Sequence, residues 1–284
     1  VGGWDSSAVV TVSKRLLCFI AIGRKAITMR LPIRDPRTIA RDISGVFDAL
    51  FPQLAQGVVA SFNRGAIPID GCEPVSQELV EATSVQRAML FETAVAAAEQ
   101  LIEGGSAVDW DLCLGTAVAR QKAHFDAKLP QSLTSVDKEV SLHVARNLIA
   151  AFRQLRASSG TEALVRGPRI PGFQWVASSV GDFSIGRALI EVKCTNKHFI
   201  SSDYRQILMY WLLSYCAALE TGATEWADGV LVNPRLNRVV RFSFNGLIPI
   251  VGAGKSKVEL VELFSTMLGT RVPLTPRGHA DGPG

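Results

Sequence analysis

Asp182, Glu191 and Lys193 lie close together in the stretch running from Gly181 to Tyr210. Their types and spacing could hold a divalent cation and use it. Two carboxylates and a lysine on one sheet face are costly unless an ion joins them, because buried charges need partners. An oxygen-ligated cation beside a lysine is the physical outline of a site for metal-assisted phosphodiester hydrolysis. Gln206 and Tyr210 follow, four residues apart.

The elements that must position these residues can be read from local pattern. Asp182 closes a short apolar strand, Ser179 to Ile185, and Gly186-Arg187 marks a tight turn. Ala188 to Thr195 reads as the second strand of a hairpin. Side chains alternate along a strand, so Glu191 and Lys193 share a face and Val192 points away. Asp203 is expected to be the N-cap of a helix running to about Glu220. On that helix Gln206 and Tyr210 share one face. Upstream, Val136 to Leu155 is periodic, with Val140, Val144, Leu148, Phe152 and Leu155 as its core stripe. Glu139 and His143 lie next to that stripe.

At Gly181-Asp182, Glu191-Val192-Lys193 and Gln206 through Tyr210, the chain resembles the PD-(D/E)XK nuclease superfamily, in its RecB-like branch with Gln-x-x-x-Tyr. The resemblance covers roughly the second half of the chain. It implies a restriction-endonuclease-like core and a metal-dependent nuclease, a phosphodiester hydrolase acting most readily on DNA. Asp182, Glu191 and the Val192 backbone carbonyl would ligate Mg²⁺ or Mn²⁺ through oxygen. Lys193 would serve the attacking water and the phosphate. Gln206 and Tyr210 would border the metal site and the nucleic-acid strand. Glu139 or His143 would complete the metal shell, the carboxylate being the better match to a hard ion. RecB-like nucleases often act in DNA repair or in defence against foreign DNA, including antiviral defence.

The chain has 284 residues, 48% of them hydrophobic, with a net charge of +4. That composition fits a globular protein, and global basicity gives no argument for nucleic acid. The distribution of charge says more. Residues 151–210 carry eight Lys or Arg against four acids, and two of those acids are the candidate ligands. Residues 67–111 carry nine acids against Arg87 alone, so that surface should face away from nucleic acid and could meet a protein partner. Arg205, Arg235 and Arg238 are candidates for phosphate contact. Five scattered cysteines with no Cys-x-x-Cys pair argue against a disulfide framework and a structural zinc, and suit a reducing cytoplasm. The apolar run Leu16 to Ile22 is too short to span a bilayer and reads as a strand, so no membrane partner is expected.

The order of elements divides the chain into three parts. Residues 1–135 combine a small β element, with strands near 9–12, 16–22 and 26–31, and helices near 37–49, 54–62, 75–102 and 109–127. Residues 136–270 hold the nuclease-like core. They carry strands near 162–167, 228–233 and 238–244 around the hairpin, and a helix near 256–267. Residues 271–284 form a Pro/Gly-rich tail expected to be disordered. This order implies an α/β fold, a mixed central β-sheet flanked by helices, with a mainly helical N-terminal half.

Gly254-Lys255-Ser256 ends like a phosphate-binding loop, but Pro249 occupies the position of the required first glycine, so ATP binding is not expected. His198 reads as a surface-loop histidine, Cys194 as a small buried residue and Trp211 as core packing. The same fold without catalysis, as a nucleic-acid-binding or assembly subunit, is the alternative reading.

Overall fold

The computed structural model describes residues 35–37, 45–122, 129–160 and 162–269. The three expected N-terminal strands, His124 and the tail from 271 lie outside these residues. Among the described residues the sheet is preceded by α1 (Val46–Leu50), α2 (Gln56–Arg64), α3 (Gln77–Glu81), α4 (Arg87–Ile102), α5 (Trp110–Gln121) and α6 (Ser135–Ser159). The expected helix over 75–102 is broken between α3 and α4. The break holds because Ser84 turns its N–H and hydroxyl onto the Asp137 carboxylate (2.8 and 2.6 Å), which also accepts from the Thr134 N–H and hydroxyl. Asp137 therefore serves the capping box of α6 and ties down the α3–α4 break together.

Strands β1 (Leu164–Arg166), β2 (Arg169–Ile170), β3 (Ser179–Val180), β4 (Phe183–Ile185) and β5 (Ala188–Val192) follow, then α7 (Ser201–Thr221), β6 (Asp228–Asn233), β7 (Arg238–Ser243), α8 (Phe244–Val251) and α9 (Lys257–Gly269). The main sheet runs β1-β4-β5-β6-β7, and β2 pairs with β3 beside it. β5 and β6 are parallel and the other neighbours antiparallel, so the sheet is mixed. The parallel pair requires a crossover, and α7 supplies it. In the two-residue β4–β5 turn Gly186 has φ of 53° while Arg187 stays at negative φ, the pattern of a type II′ hairpin.

The sheet is the middle of three layers. One face packs Phe183, Ile185, Ile190, Val192, Val230 and Val232 against Leu148, Phe152 and Leu155 of α6 and Val95 to Ala98 of α4. The other face sets Leu189, Leu231, Val240 and Phe242 against α7, α8 and α9, together with Phe47, Leu50, Phe51, Leu54 and Val59 from around α1 and α2. Each such large side chain contributes roughly 1.5–3 kcal/mol by leaving water. The expected α6 stripe is buried throughout, from Val140 to Leu155. The helices before residue 135 thus share both apolar layers with the sheet.

The outer edge of β7 is not left open. Ile67 exchanges two backbone hydrogen bonds of 2.9 Å with Val239. The loop from Ile69 to Val75 is then held by the β6–β7 turn. The Asn237 side chain accepts from the Ile69 N–H and donates to the Cys72 carbonyl, and Val75 N–H donates to the Arg235 carbonyl. Asn147 of α6 donates to the carbonyls of Glu73 and Pro234. No helix of the described residues is long and apolar enough to cross a membrane.

Candidate active site

The candidate ligands meet at the C-terminal end of β5. The expected strand 179–185 is split: Ser179-Val180 pairs with β2, and the main-sheet strand begins at Phe183. Asp182 occupies the joint, its carbonyl accepting from Gly167 N–H. Gly181 before it lies in a close approach, where an added Cβ would meet Pro168 Cγ at 3.3 Å. One step beyond the Phe183–Ile190 pair, Asp182 stands opposite Glu191. Its Oδ2 accepts the Val192 N–H at 2.9 Å, which fixes the carboxylate against β5. β5 ends at Val192, not Thr195. Lys193 continues on the expected face, and its Nζ donates to Glu191 Oε1 at 2.8 Å.

The helix completes the cluster. Lys193 Nζ also donates to Gln206 Oε1 (2.9 Å), and Gln206 Nε2 donates to Glu191 Oε1 (2.6 Å) and the Tyr210 hydroxyl (3.2 Å). Asp203 is not the N-cap. The helix starts at Ser201, and Asp203 sits in its first turn, reaching back to accept the Ile200 N–H at 2.9 Å. Its other oxygen lies 4.0 Å from Lys193 Nζ. The loop between Lys193 and α7 is held from two sides. Asn63 of α2 brackets the Phe199 backbone, and Asn233 of β6 donates to the Thr195 carbonyl.

Arg37, far away in sequence, is also part of the site. Its Nε donates to the Tyr210 hydroxyl at 2.7 Å and its Nη2 to the Val180 carbonyl at 3.2 Å. No motif marks Arg37. Only its position after Asp35-Pro36, at a helix start, was legible.

Glu191 is 3% exposed and Tyr210 fully buried. Burial pushes the Glu191 carboxyl up to about 7, and Asp182 adds to this, against the opposing pull of Lys193 and Arg37. At 2.8 Å an ion pair attracts by ~6 kcal/mol at an effective dielectric of about 20, which here falls short of the combined cost of drying and like charge. For Lys193 the balance reverses. Burial alone would lower its ammonium, but Glu191 outweighs burial and holds it above 10.5. Burial, then Glu191, also raises the Tyr210 phenol above 10.

The donor set suits a hard cation. Glu191 Oε2 is buried and has no hydrogen-bond partner, an arrangement that a bound cation would relieve. Asp182 stands beside it, half-buried, with one oxygen committed to Val192. Neither candidate for a further side-chain ligand joins them. His143 Nε2 contacts the Glu73 carbonyl at 3.0 Å, and Glu139 is exposed. No group of three His, Cys, Asp or Glu suited to a metal occurs among the described residues. Remaining positions on Mg²⁺ would fall to the Val192 carbonyl, water and substrate oxygens.

The raised Glu191 pKa has a signed consequence. Mg²⁺ binds the carboxylate, so its affinity should rise with pH through about 7 and level off above. Calorimetry in buffers of different protonation enthalpy should find close to one proton released per ion near pH ~6 and little near pH ~8. An affinity constant across that range would contradict the assignment of Glu191 as ligand. In the cation-free protein the same shift works on stability. The contribution of Glu191 is fully present below about 4.5 and is lost as pH rises through about 7.

The three candidate arginines fare differently. Arg235 is 3% exposed, donating to Gln77 Oε1 at 2.6 Å beneath the α3 region. It is a fastening of the β6–β7 turn and is not available to phosphate. Arg205 pairs with Asp48 of α1 at 2.8 Å and stacks over Phe47, and Arg238 is half-buried in β7. Ser256 is a helix cap. Its hydroxyl accepts from Glu259 N–H and its own N–H donates back to Glu259. His198 is exposed, Cys194 packs against the cluster around Val144, and Trp211 is fully buried. Comparison with known protein families, curated proteins and solved structures finds no match to this chain.

Proposed function

We propose that this chain is a metal-dependent nuclease, hydrolysing phosphodiester bonds in DNA with Mg²⁺ or Mn²⁺, on a RecB-like PD-(D/E)XK site. The observation that carries the reading is Glu191. It is a buried carboxylate with one oxygen shared by Lys193 and Gln206 and the other left without a partner. A bound divalent ion would supply the charge that polarises a phosphate oxygen and acidifies a coordinated water. Asp182 and Glu191 hold that ion. Lys193 has three N–H donors and spends two on Glu191 and Gln206, so the third serves the water or a phosphate oxygen. Gln206 fixes Lys193, Glu191 and Tyr210 relative to one another. Repair or defence against foreign DNA, in a reducing cytoplasm, is the setting this reading favours.

The alternative, a nucleic-acid-binding or assembly subunit without catalysis, draws on the burial of Glu191, Gln206 and Tyr210. Two cavities, of about 220 and 180 Å³, lie elsewhere, the first lined by Glu162, Gly186, Arg187, Asp228 and Arg241. The test is incubation of the chain with linear and circular DNA, single- and double-stranded, with Mg²⁺ or Mn²⁺ and with chelator. Metal-dependent cutting supports the nuclease, and its restriction to linear DNA would make it an exonuclease. Metal binding without cutting supports the assembly subunit. Absence of both removes the metal site.

A further inference from the structure

Asp203 has one carboxylate oxygen fixed and the other turned towards Lys193. Oδ2 accepts the Ile200 N–H at 2.9 Å, and Oδ1 lies 4.0 Å from Lys193 Nζ. That gap is too long for a direct hydrogen bond and fits one water within reach of both groups. Solvent can reach it, because the Lys193 and Asp203 side chains are 19% and 18% exposed. Lys193 spends two N–H groups on Glu191 and Gln206, so its third is the donor that can orient such a water. The Asp203 carboxylate across from it is the acceptor that can take the water's proton. Burial raises the Asp203 carboxyl, against the pull of the Ile200 N–H and Lys193, which makes it a stronger base than an exposed aspartate. The bond to Ile200 also holds it still, in the first turn of α7.

We propose that Asp203 is the general base of the hydrolysis, taking a proton from the water that Lys193 orients. This rests on the nuclease reading and adds to it a catalytic residue outside the three sequence motifs. One O–H bond of the water breaks, and its proton passes to Asp203 Oδ1. The water oxygen forms the new bond to phosphorus, while the bond from phosphorus to the leaving sugar oxygen breaks with its electron pair. That oxygen takes a proton from solvent, and Asp203 returns its own to solvent. Lys193 and Tyr204 are the titratable groups that feel the Asp203 charge, and both keep their protons in the neutral range.

The test is single-turnover cleavage of linear DNA at saturating Mg²⁺ from pH ~6 to ~9, in the unaltered chain, Asp203→Asn and Asp203→Glu. An asparagine oxygen can still accept the Ile200 N–H, so Asp203→Asn removes the base and keeps the cap. Its rate should fall roughly a hundredfold or more at neutral pH, then climb about tenfold per pH unit as hydroxide replaces the base. The unaltered chain should level off instead. Asp203→Glu keeps both carboxylate and cap, so it should keep the plateau and lose only part of the rate. Mn²⁺ binding, followed by electron paramagnetic resonance, should stay within about twofold in both variants, because Asp182 and Glu191 are untouched. Cutting by Asp203→Asn within about threefold of the unaltered chain would reduce Asp203 to a helix cap and overturn the inference. A slower rate with an unchanged pH profile, or with Mn²⁺ binding lost, would make it a positioning residue or a ligand and overturn the inference too. Absence of metal-dependent cutting by the unaltered chain would overturn the nuclease reading along with it.

Discussion

Lys193→Ala should lower the cleavage rate by about a thousandfold or more, the loss expected for one electrostatic group acting on developing charge. A second effect adds to the first. Without the ammonium, Glu191 loses the partner that donates to Oε1 at 2.8 Å, so its carboxyl should titrate above about 7 and bind the cation less well at neutral pH. Higher pH should therefore restore part of the metal affinity in this variant but not the rate. Glu191→Ala should abolish cleavage outright and strand Lys193 in a buried position, at about 3–5 kcal/mol of stability. Replacing both, as Glu191→Gln with Lys193→Met, should be less destabilising than either change alone, because no charge is left unpaired. Rates and urea unfolding measured on the same samples separate the two effects. Undiminished cutting by folded Lys193→Ala protein would end the proposed mechanism.

Trp211→Ala should cost roughly 3–5 kcal/mol, the range for deleting a fully buried large aromatic side chain. Trp211 stacks on Tyr215 at 5.4 Å and on Phe244 at 5.6 Å, with Lys257 over its ring. It joins α7 to the start of α8, so its loss should also loosen the helix that presents Gln206 and Tyr210. Its indole N–H has no hydrogen-bond partner, so Trp211→Phe removes an unmet donor along with part of the ring. That variant should lose less than half as much, and unfolding in urea would measure both. A loss below about 1 kcal/mol in Trp211→Ala would mean that the site refills, against the close packing around it.

The parts legible in sequence are those fixed by local period. Alternation placed Glu191 and Lys193 on one face of β5, and a four-residue interval placed Gln206 above Tyr210. The 3.6-residue period marked the α6 stripe. Each depends on neighbours a few residues away. Arg37 meets Tyr210 across 173 positions, and nothing local records that contact. Arg235 was a candidate for phosphate contact, yet its turn is covered by α3 and the loop before it. α8 was not among the expected elements; it holds Pro249 beyond its first turn and is capped by Ser243. The break after α3 depends on Asp137, whose two roles became visible only once α6 lay beside it. Asp203 illustrates a smaller ambiguity. An acid near a helix start can cap from outside or reach back from the first turn, and Ser201-Ser202 allow the second.

The Ile67–Val239 pairing bears on how this chain can be divided. A chain cut to keep only residues 136 to 270 would hold Asp182, Glu191, Lys193, Gln206 and Tyr210 but lose Arg37, and the backbone groups of Val239 would face solvent unpaired. An open strand edge invites pairing with other copies, and the bare apolar layer formerly under α1, α2 and α4 would add to that tendency. Fragments made to isolate the chemistry would therefore tend to aggregate, and loss of activity in them would say nothing about the residues removed.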